Sequence, residues 1–380
     1  MSTRRAQSRP QQSTSKTILS ALIVAIILGI GYFLQQGFFG LESSAPPAAS
    51  VDGSEAIQVF FTTPSLVYPD VPKNRIPPPH EQAIIADIDA ATRSIDMVTF
   101  EYNLSSIAHA LARATQRGVD VRLALDQEEL EDPVMAKWAG VVEDAQISIS
   151  WQESDAFLHS KFIIIDAQVL WTGSWNATIN DTYRNNNNLL RITIPELIDN
   201  YQTEFEQMMA GRFSTSKQKS TPNPEIRFGT GQIENYFSPK EKPRQRIVEY
   251  LSQAREQIDF LAFSYTSDEI AQAMIERHNA GVAVRGVFEK RNAQGLGSEY
   301  QTLLDAGVDV LNDGNCYTMH HKVIIIDRRV VITGSYNFTA RAEDLNDENL
   351  LIIDDPELAE WYMQEFERVF GQAQRPTQCG

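Results

Sequence analysis

The chain has 380 residues, 42% of them apolar, and a formal net charge of −17 at neutral pH. That length supports two domains of ordinary size, each with a buried core. So acidic a balance counts against a general binder of long nucleic acid, whose affinity comes largely from neutralising phosphates with Lys and Arg.

Residues 1–16 carry Arg4, Arg5, Arg9 and Lys16. Thr17 to Leu34 then forms an uncharged apolar run of 18 residues, followed by Glu42 and Asp52 as the first charges. At ~1.5 Å per residue the run is about as long as a bilayer's hydrocarbon core is thick. Basic residues before it and acidic ones after it predict a single-pass anchor with a cytoplasmic tail at 1–16 and everything after residue 34 outside the cytoplasm. The competing reading is a cleaved signal peptide and a secreted product. Without the four basic residues of the tail, the exported part carries 29 Lys and Arg against 50 Asp and Glu, a net charge of −21. Residues 35–56, small, Pro-containing and aperiodic, predict a spacer.

An internal repeat follows. Residues 81–102 align with 244–265 at a shift of 163, as do Gly118 and Arg122 with Gly281 and Arg285. Residues 159–176 align with 320–337 at a shift of 161. Each copy reads as helix (81–94, 244–257), strand (95–100, 258–263), helix ending at Gly118 or Gly281, strand (119–125, 282–288), a motif strand, and a closing helix (195–209, 356–370). The expectation is α/β, with a largely parallel sheet covered on both faces in each copy. The expected domains are 57–213 and 231–372, with a linker at 214–230 and a tail at 373–380.

Both copies place His, Lys and Asp at positions 1, 3 and 8: His159, Lys161 and Asp166, then His320, Lys322 and Asp327. A Gly-Ser-x-Asn segment follows each, with Ser174 and Asn176 in one copy and Ser335 and Asn337 in the other. On a strand, residues two apart share a face, so each His and Lys point the same way while Ser160 and His321 point away. A phosphodiester needs a nucleophile, a proton donor for the leaving alkoxide and cations on the non-bridging oxygens. Two copies facing across a pseudo-two-fold axis supply all three, with lysines doing charge work that other phosphoryl-transfer enzymes give to metals. No metal and no cofactor is expected.

This pair of HxKxxxxD and GSxN segments resembles the phospholipase D superfamily, over roughly residues 57–372. The resemblance implies two tandem phospholipase D-like α/β sandwich domains, preceded here by one transmembrane helix, with a single site between the copies. The second copy further resembles the branch of small bacterial endonucleases and mitochondrial cardiolipin hydrolase, in which a Glu in an N-x-E-N segment holds the catalytic His. Here that is Glu348; the first copy has Asn187 at the matching position, and Asp155 or Asp181 stands as a replacement carboxylate. The resulting expectation pairs Glu348 with a protonated His320 as general acid and makes neutral His159 the nucleophile. Asp166 and Asp327 belong to the catalytic motif but suit bracing its strand and turn better than touching substrate; the Ser and Asn of each GSxN are expected to bind or support the phosphate. The implied function is hydrolysis of phospholipid headgroup esters, the alternative a metal-independent nuclease, and a lesser alternative phosphatidyl transfer. A phospholipid or membrane surface is the expected partner; charge disfavours nucleic acid, and no obligate protein partner is evident. Pairing of Cys316 with Cys379 stays open, and His80 reads as a loop residue. Trp171, Trp175 and Tyr336 fit a substrate mouth or the core equally well.

Overall fold

The computed structural model describes residues 51–53, 56–62, 76–219 and 221–376. The expected anchor at 17–34, the tail before it and Cys379 lie outside the described residues. Among the described residues no helix is long and apolar enough to cross a membrane.

The first half runs β1 (Val51–Gly53), β2 (Ile57–Thr62), α1 (Pro79–Ala90), β3 (Ser94–Thr99), α2 (Ser105–Gln116), β4 (Asp120–Asp126), α3 (Pro133–Asp144), β5 (Ser148–Gln152), β6 (Phe162–Ile165), β7 (Val169–Gly173), α4 (Ile179–Tyr183), β8 (Asn187–Ile192) and α5 (Pro195–Met209). After β9 (Glu225–Phe228) and β10 (Gly231–Ser238) the second half repeats the scheme. It runs α6 (Arg244–Ser252), β11 (Gln257–Ala262), α7 (Asp268–Asn279), β12 (Ala283–Phe288), α8 (Tyr300–Asp305), β13 (Asp309–Asn312), β14 (Lys322–Ile326), β15 (Val330–Gly334), α9 (Ala340–Asp344), β16 (Glu348–Asp354) and α10 (Pro356–Gln374). Each half thus holds one eight-stranded sheet, ordered β1-β2-β8-β7-β6-β3-β4-β5 and β13-β12-β11-β14-β15-β16-β10-β9.

The sheets are mixed, which corrects the expectation of largely parallel ones. Only the strands joined through helices, β3–β4–β5 and β11–β12–β13, run parallel; every other neighbour is antiparallel. The cause is the turn after each motif strand. Asp166 and Ala167, like Asp327 and Arg328, have φ between 50 and 54°. Two consecutive left-handed residues make the turn whose twist suits a tight hairpin, so β6–β7 and β14–β15 are antiparallel by construction. Asp tolerates that conformation better than most residues.

Three apolar clusters fill the spaces between layers. One packs α1 and α2 on the outer face of the first sheet, and another packs α6 and α7 on the outer face of the second. The third is shared: Tyr201 and Phe205 of α5 and Tyr362 and Phe366 of α10 sit in one core with inward residues of both sheets, such as Leu190 and Leu351. The expected closing helices therefore lie between the two sheets. The 214–230 linker is also more ordered than its polar composition suggests. It contributes β9, and Lys217 is buried in an ion-paired cluster with Glu204 and with Asp347 at 2.6 Å.

Candidate active site

β3 pairs antiparallel with β6, and β11 with β14, so each motif strand starts where its neighbour ends. That places the two His-x-Lys segments beside the residues that follow β3 and β11. These include Phe100 and Phe263, identical at the repeat shift of 163. The Phe100 ring lies 5.4 Å from that of His159 and 5.5 Å from Lys161 Nζ. The Phe263 ring lies 4.7 Å from that of His320 and 4.5 Å from Lys322 Nζ. Each lysine also donates to its own histidine's carbonyl, Lys161 at 2.5 Å and Lys322 at 2.8 Å. All four side chains are nearly enclosed, with the histidines 7% exposed and the lysines 3% or less.

The two halves meet through short backbone bridges beside the motifs. Leu158 bridges Asp347, and Asn186 bridges Met319. One residue further on, the partners of the imidazoles follow from that register. His159 Nδ1 lies 2.7 Å from Glu348 Oε2, and His320 Nδ1 lies 2.8 Å from Asn187 Oδ1. The pairing is crossed and reciprocal: each half orients the other half's histidine. This corrects the expectation that Glu348 serves His320. The repeat spacing was read within one copy, whereas the bridges set the contact between copies.

The serines of the GSxN segments hold these orienting groups. Ser335 Oγ donates to Glu348 Oε2 at 2.7 Å, and Ser174 Oγ donates to Asn187 Oδ1 at 2.9 Å. Their hydroxyls are thereby committed to the scaffold and are not free for a phosphate. The glycines before them permit the approach: a Cβ on Gly173 or Gly334 would stand 2.2 Å from the carbonyl oxygen of Asn188 or Asn349. Asn176 donates its backbone and side-chain N–H groups to Asp181 Oδ2 at 2.7 and 2.9 Å. Asn337 has a buried Oδ1 with no hydrogen-bond partner among the described residues.

Asp181 Oδ2 stands 3.7 Å from His320 Nδ1, so it supplies near His320 the charge that Asn187 lacks; Asp155 lies elsewhere, on a cavity wall. Asp166 and Asp327 are at the far end of their strands, where they accept from the backbone N–H groups of Thr92, Arg93 and Ser94, and of Arg255, Glu256 and Gln257. They are braces and do not face the cleft. His321 points away, as expected, and bonds Glu365 at 2.9 Å and Asn188 at 3.1 Å. Trp171, Trp175 and Tyr336 belong to the core, and so does His80, which is 1% exposed in the first turn of α1 rather than in a loop.

Burial pushes the His159 imidazole down to about 4; Glu348 opposes this and the lysines add to it. Burial pushes His320 well below its ordinary value, assisted by Lys322, Lys161, His159 and His321. Burial and Lys161 do the same to Lys322, against the pull of Asp181, Glu348 and Glu101. Both lysines thus act on both histidines. The lowering of His320 runs against the expected resting imidazolium on that residue. Glu101, next to Phe100, drew no notice in the sequence; its burial raises its carboxyl to about 7. Its one signal was a break in the repeat, since position 264 is Ser. Among the described residues no group of three or more His, Cys, Asp or Glu is placed to hold a metal ion.

Comparison with known proteins identifies the family. A family profile described as "Cardiolipin synthase, PLD-like domain" matches residues 84–209 and again 247–370. The chain is 35% identical over 125 residues to a mitochondrial cardiolipin hydrolase of Chlamydomonas reinhardtii, covering 33% of this chain and 56% of that one. It is 39% identical over 132 residues to a phospholipase D of Rickettsia felis, covering 35% and 66%. The chain thus spans between half and two thirds of these relatives' length. Phosphatidylserine synthase of Haemophilus influenzae shares the fold over 77% of this chain and 84% of its own, with a TM-score of 0.60 at 14% identity.

Proposed function

The chain belongs to the PLD-like domain family, within the phospholipase D superfamily, and from that premise we propose that it hydrolyses phospholipid headgroup esters through a phosphohistidine on His159. The observation that carries this reading is the reciprocal pairing of His159 with Glu348 and His320 with Asn187. A carboxylate only accepts, so His159 keeps its proton on Nδ1 and presents the lone pair of Nε2.

A diester phosphate between Lys161 and Lys322 brings a negative charge that favours the charged form of both lysines and of His320. His159 Nε2 attacks phosphorus while the bond to the leaving oxygen breaks in line. The lysines neutralise the non-bridging oxygens. His320 has taken up a proton from solvent as the phosphate entered, with Asp181 nearby to support the imidazolium, and it passes that proton to the leaving oxygen. Neutral His320 then takes a proton from water, whose oxygen attacks phosphorus and breaks the P–N bond. A phosphomonoester leaves, and His159 returns to its starting tautomer. An alcohol in place of water gives phosphatidyl transfer.

Lipid is favoured over nucleic acid by three observations. The relatives above are named for lipid hydrolysis. The part after residue 34 carries a net charge of −21, and the apolar run before it, at 17–34, suits a membrane anchor that leaves the site outside the cytoplasm. Beside the site, a cavity of about 910 Å³ opens next to Phe157, whose ring is 5.2 Å from that of Phe100. Its walls include Glu128, Glu131, Glu153 and Asp155 against Arg341, a poor surface for a polyanion.

The test uses the full chain in mild detergent with EDTA, given mixed phospholipid vesicles and, separately, single-stranded DNA. Headgroup release without DNA cleavage is expected, and His159→Ala and His320→Ala each abolish it. DNA cleavage without headgroup release would sink the lipid reading.

A further inference from the structure

Glu101 is an ionisable group beside the cleft that the mechanism above does not use. It follows Phe100 directly, and its backbone N–H donates to Asn176 Oδ1 at 3.5 Å, so it sits between the ring beside His159 and the Asn176–Asp181 pair beside His320. After burial, the charge that acts most on its carboxyl is that of Asp181, followed by those of Lys161 and Lys322, which oppose it, and of Asp132. The duplication makes the residue conspicuous. Its counterpart is Ser264, and the counterpart of Asp181 is Ala342. The second copy therefore places no carboxylate at either position, and the asymmetry of the cleft is a matter of charge.

We propose that Glu101 is a specificity-determining residue that lets the two-lysine cradle hold a singly charged phosphodiester and expel a doubly charged phosphomonoester. This rests on the phosphodiesterase reading and deepens it. Substrate and product of such a hydrolysis differ in charge more than in shape: a diester carries one negative charge, whereas a monoester gains most of a second one near neutral pH. Two lysines alone bind the product more tightly than the substrate. A carboxylate beside them reverses that order by repulsion, which is how a site rejects a ligand resembling its preferred one. The enclosure of the site makes each added charge count for more than it would in water. Burial brings the Glu101 carboxyl to about 7, so repulsion grows as the product's second ionisation proceeds. The proton that His320 takes up with a bound anion is common to the wild type and to variants at Glu101, and it cancels in the ratio between them.

The probe is sulfate, whose double charge is constant across the working range, with glycerol 3-phosphate as a product analogue. Binding to the full chain is read by calorimetry for wild type, Glu101→Gln and Glu101→Ser, the last restoring the residue found at 264. At about pH 8 both variants bind sulfate about tenfold more tightly than wild type, and at about pH 6 the three converge. Glycerol 3-phosphate follows the same order. Thermal melts confirm that the variants fold, and the agreement of two different replacements guards against a local packing artefact. Sulfate affinity that is equal in all three at about pH 8, or a ratio that does not change with pH, overturns the proposal and leaves the phosphodiesterase reading intact. Sulfate and phosphate binding by none of the three overturns the cradle itself and both readings with it.

Discussion

His159 of the first copy and Glu348 of the second are joined at 2.7 Å, while Asn187 of the first copy lies 2.8 Å from His320 of the second. Each half-domain is thus incomplete at its own histidine and complete at its neighbour's. The two imidazoles receive unequal partners, a carboxylate and an amide. A carboxylate fixes the tautomer of its ring and stabilises the positive charge that develops when that ring becomes covalently bound. An amide fixes orientation alone. In the proposed mechanism this inequality is the reason for giving the nucleophile's place to His159 and the proton donor's to His320.

The orienting role of Glu348 has a direct consequence. Glu348→Gln keeps the shape of the side chain but permits the wrong tautomer, and kcat is expected to fall about a hundredfold to ten-thousandfold. A phosphoenzyme trapped and mapped by peptide under alkaline conditions, in which a P–N bond survives, should still locate the label on His159. A Glu348→Gln protein within about threefold of wild type rules out this use of the carboxylate.

The pH profile follows from the depressed imidazole. The nucleophile works only when neutral, and burial takes His159 down to about 4. Because His320 must gain a proton before it donates one, kcat/KM is expected to rise as pH falls from neutrality and to drop only near about 4, where Nε2 of His159 is protonated. An acid limb near about 6.5, the ordinary histidine value, contradicts the placement of His159 in a dry site.

Asp166 tests the separation of brace from site. Burial pushes its carboxyl up, but the N–H groups of Ser94, Thr92 and Arg93 more than reverse this and leave it below the usual range. A carboxylate with a lowered folded value stabilises fully above its unfolded value, and that stability is lost as pH falls through the folded value. Asp166→Ala should cost about 1–3 kcal/mol at neutral pH, measured by urea unfolding, and the gap to wild type should shrink in acid. A loss of activity with unchanged stability would mean that Asp166 touches substrate after all.

Lys217 ties the linker to the site's scaffold. Its ammonium is buried between Glu204 and Asp347, the residue before Glu348. Lys217→Ala leaves two buried carboxyls without their cation, and about 3–5 kcal/mol of stability should go with it. A shift in unfolding free energy below about 1 kcal/mol, within the range of an exposed pair, would show the cluster to be solvated.

Much of this was legible before any coordinates. The duplication, the closing helices at 195–209 and 356–370, and the grouping of His159 and Lys161 with His320 and Lys322 all follow from periodicity and repeat spacing. Those signals are local, because a two-residue repeat fixes which side of a strand a side chain takes. His321 was separated from His320 on that ground, and it is buried against Glu365. Sheet direction is not legible in the pattern, because a short apolar run has the same period in a parallel or an antiparallel sheet; the left-handed pair at Asp166 and Ala167 turns β7 back on β6.

What the amino-acid order determined by itself was the chemistry on offer: two imidazoles, two ammonium groups and the residues able to orient them, each in a known place along the chain. What only the tertiary structure decided was who serves whom. Glu348 is 28 residues from His320 and 189 from His159, and it bonds the distant one, because the bridge between Leu158 and Asp347 sets the contact across the two halves. The same packing partly buries Glu101 and encloses Lys217, and so changes the chemistry of side chains that in the sequence are only a break in the repeat and a lysine of a polar linker. Sequence distance says nothing about desolvation, and desolvation is what turns an ordinary side chain into a working one.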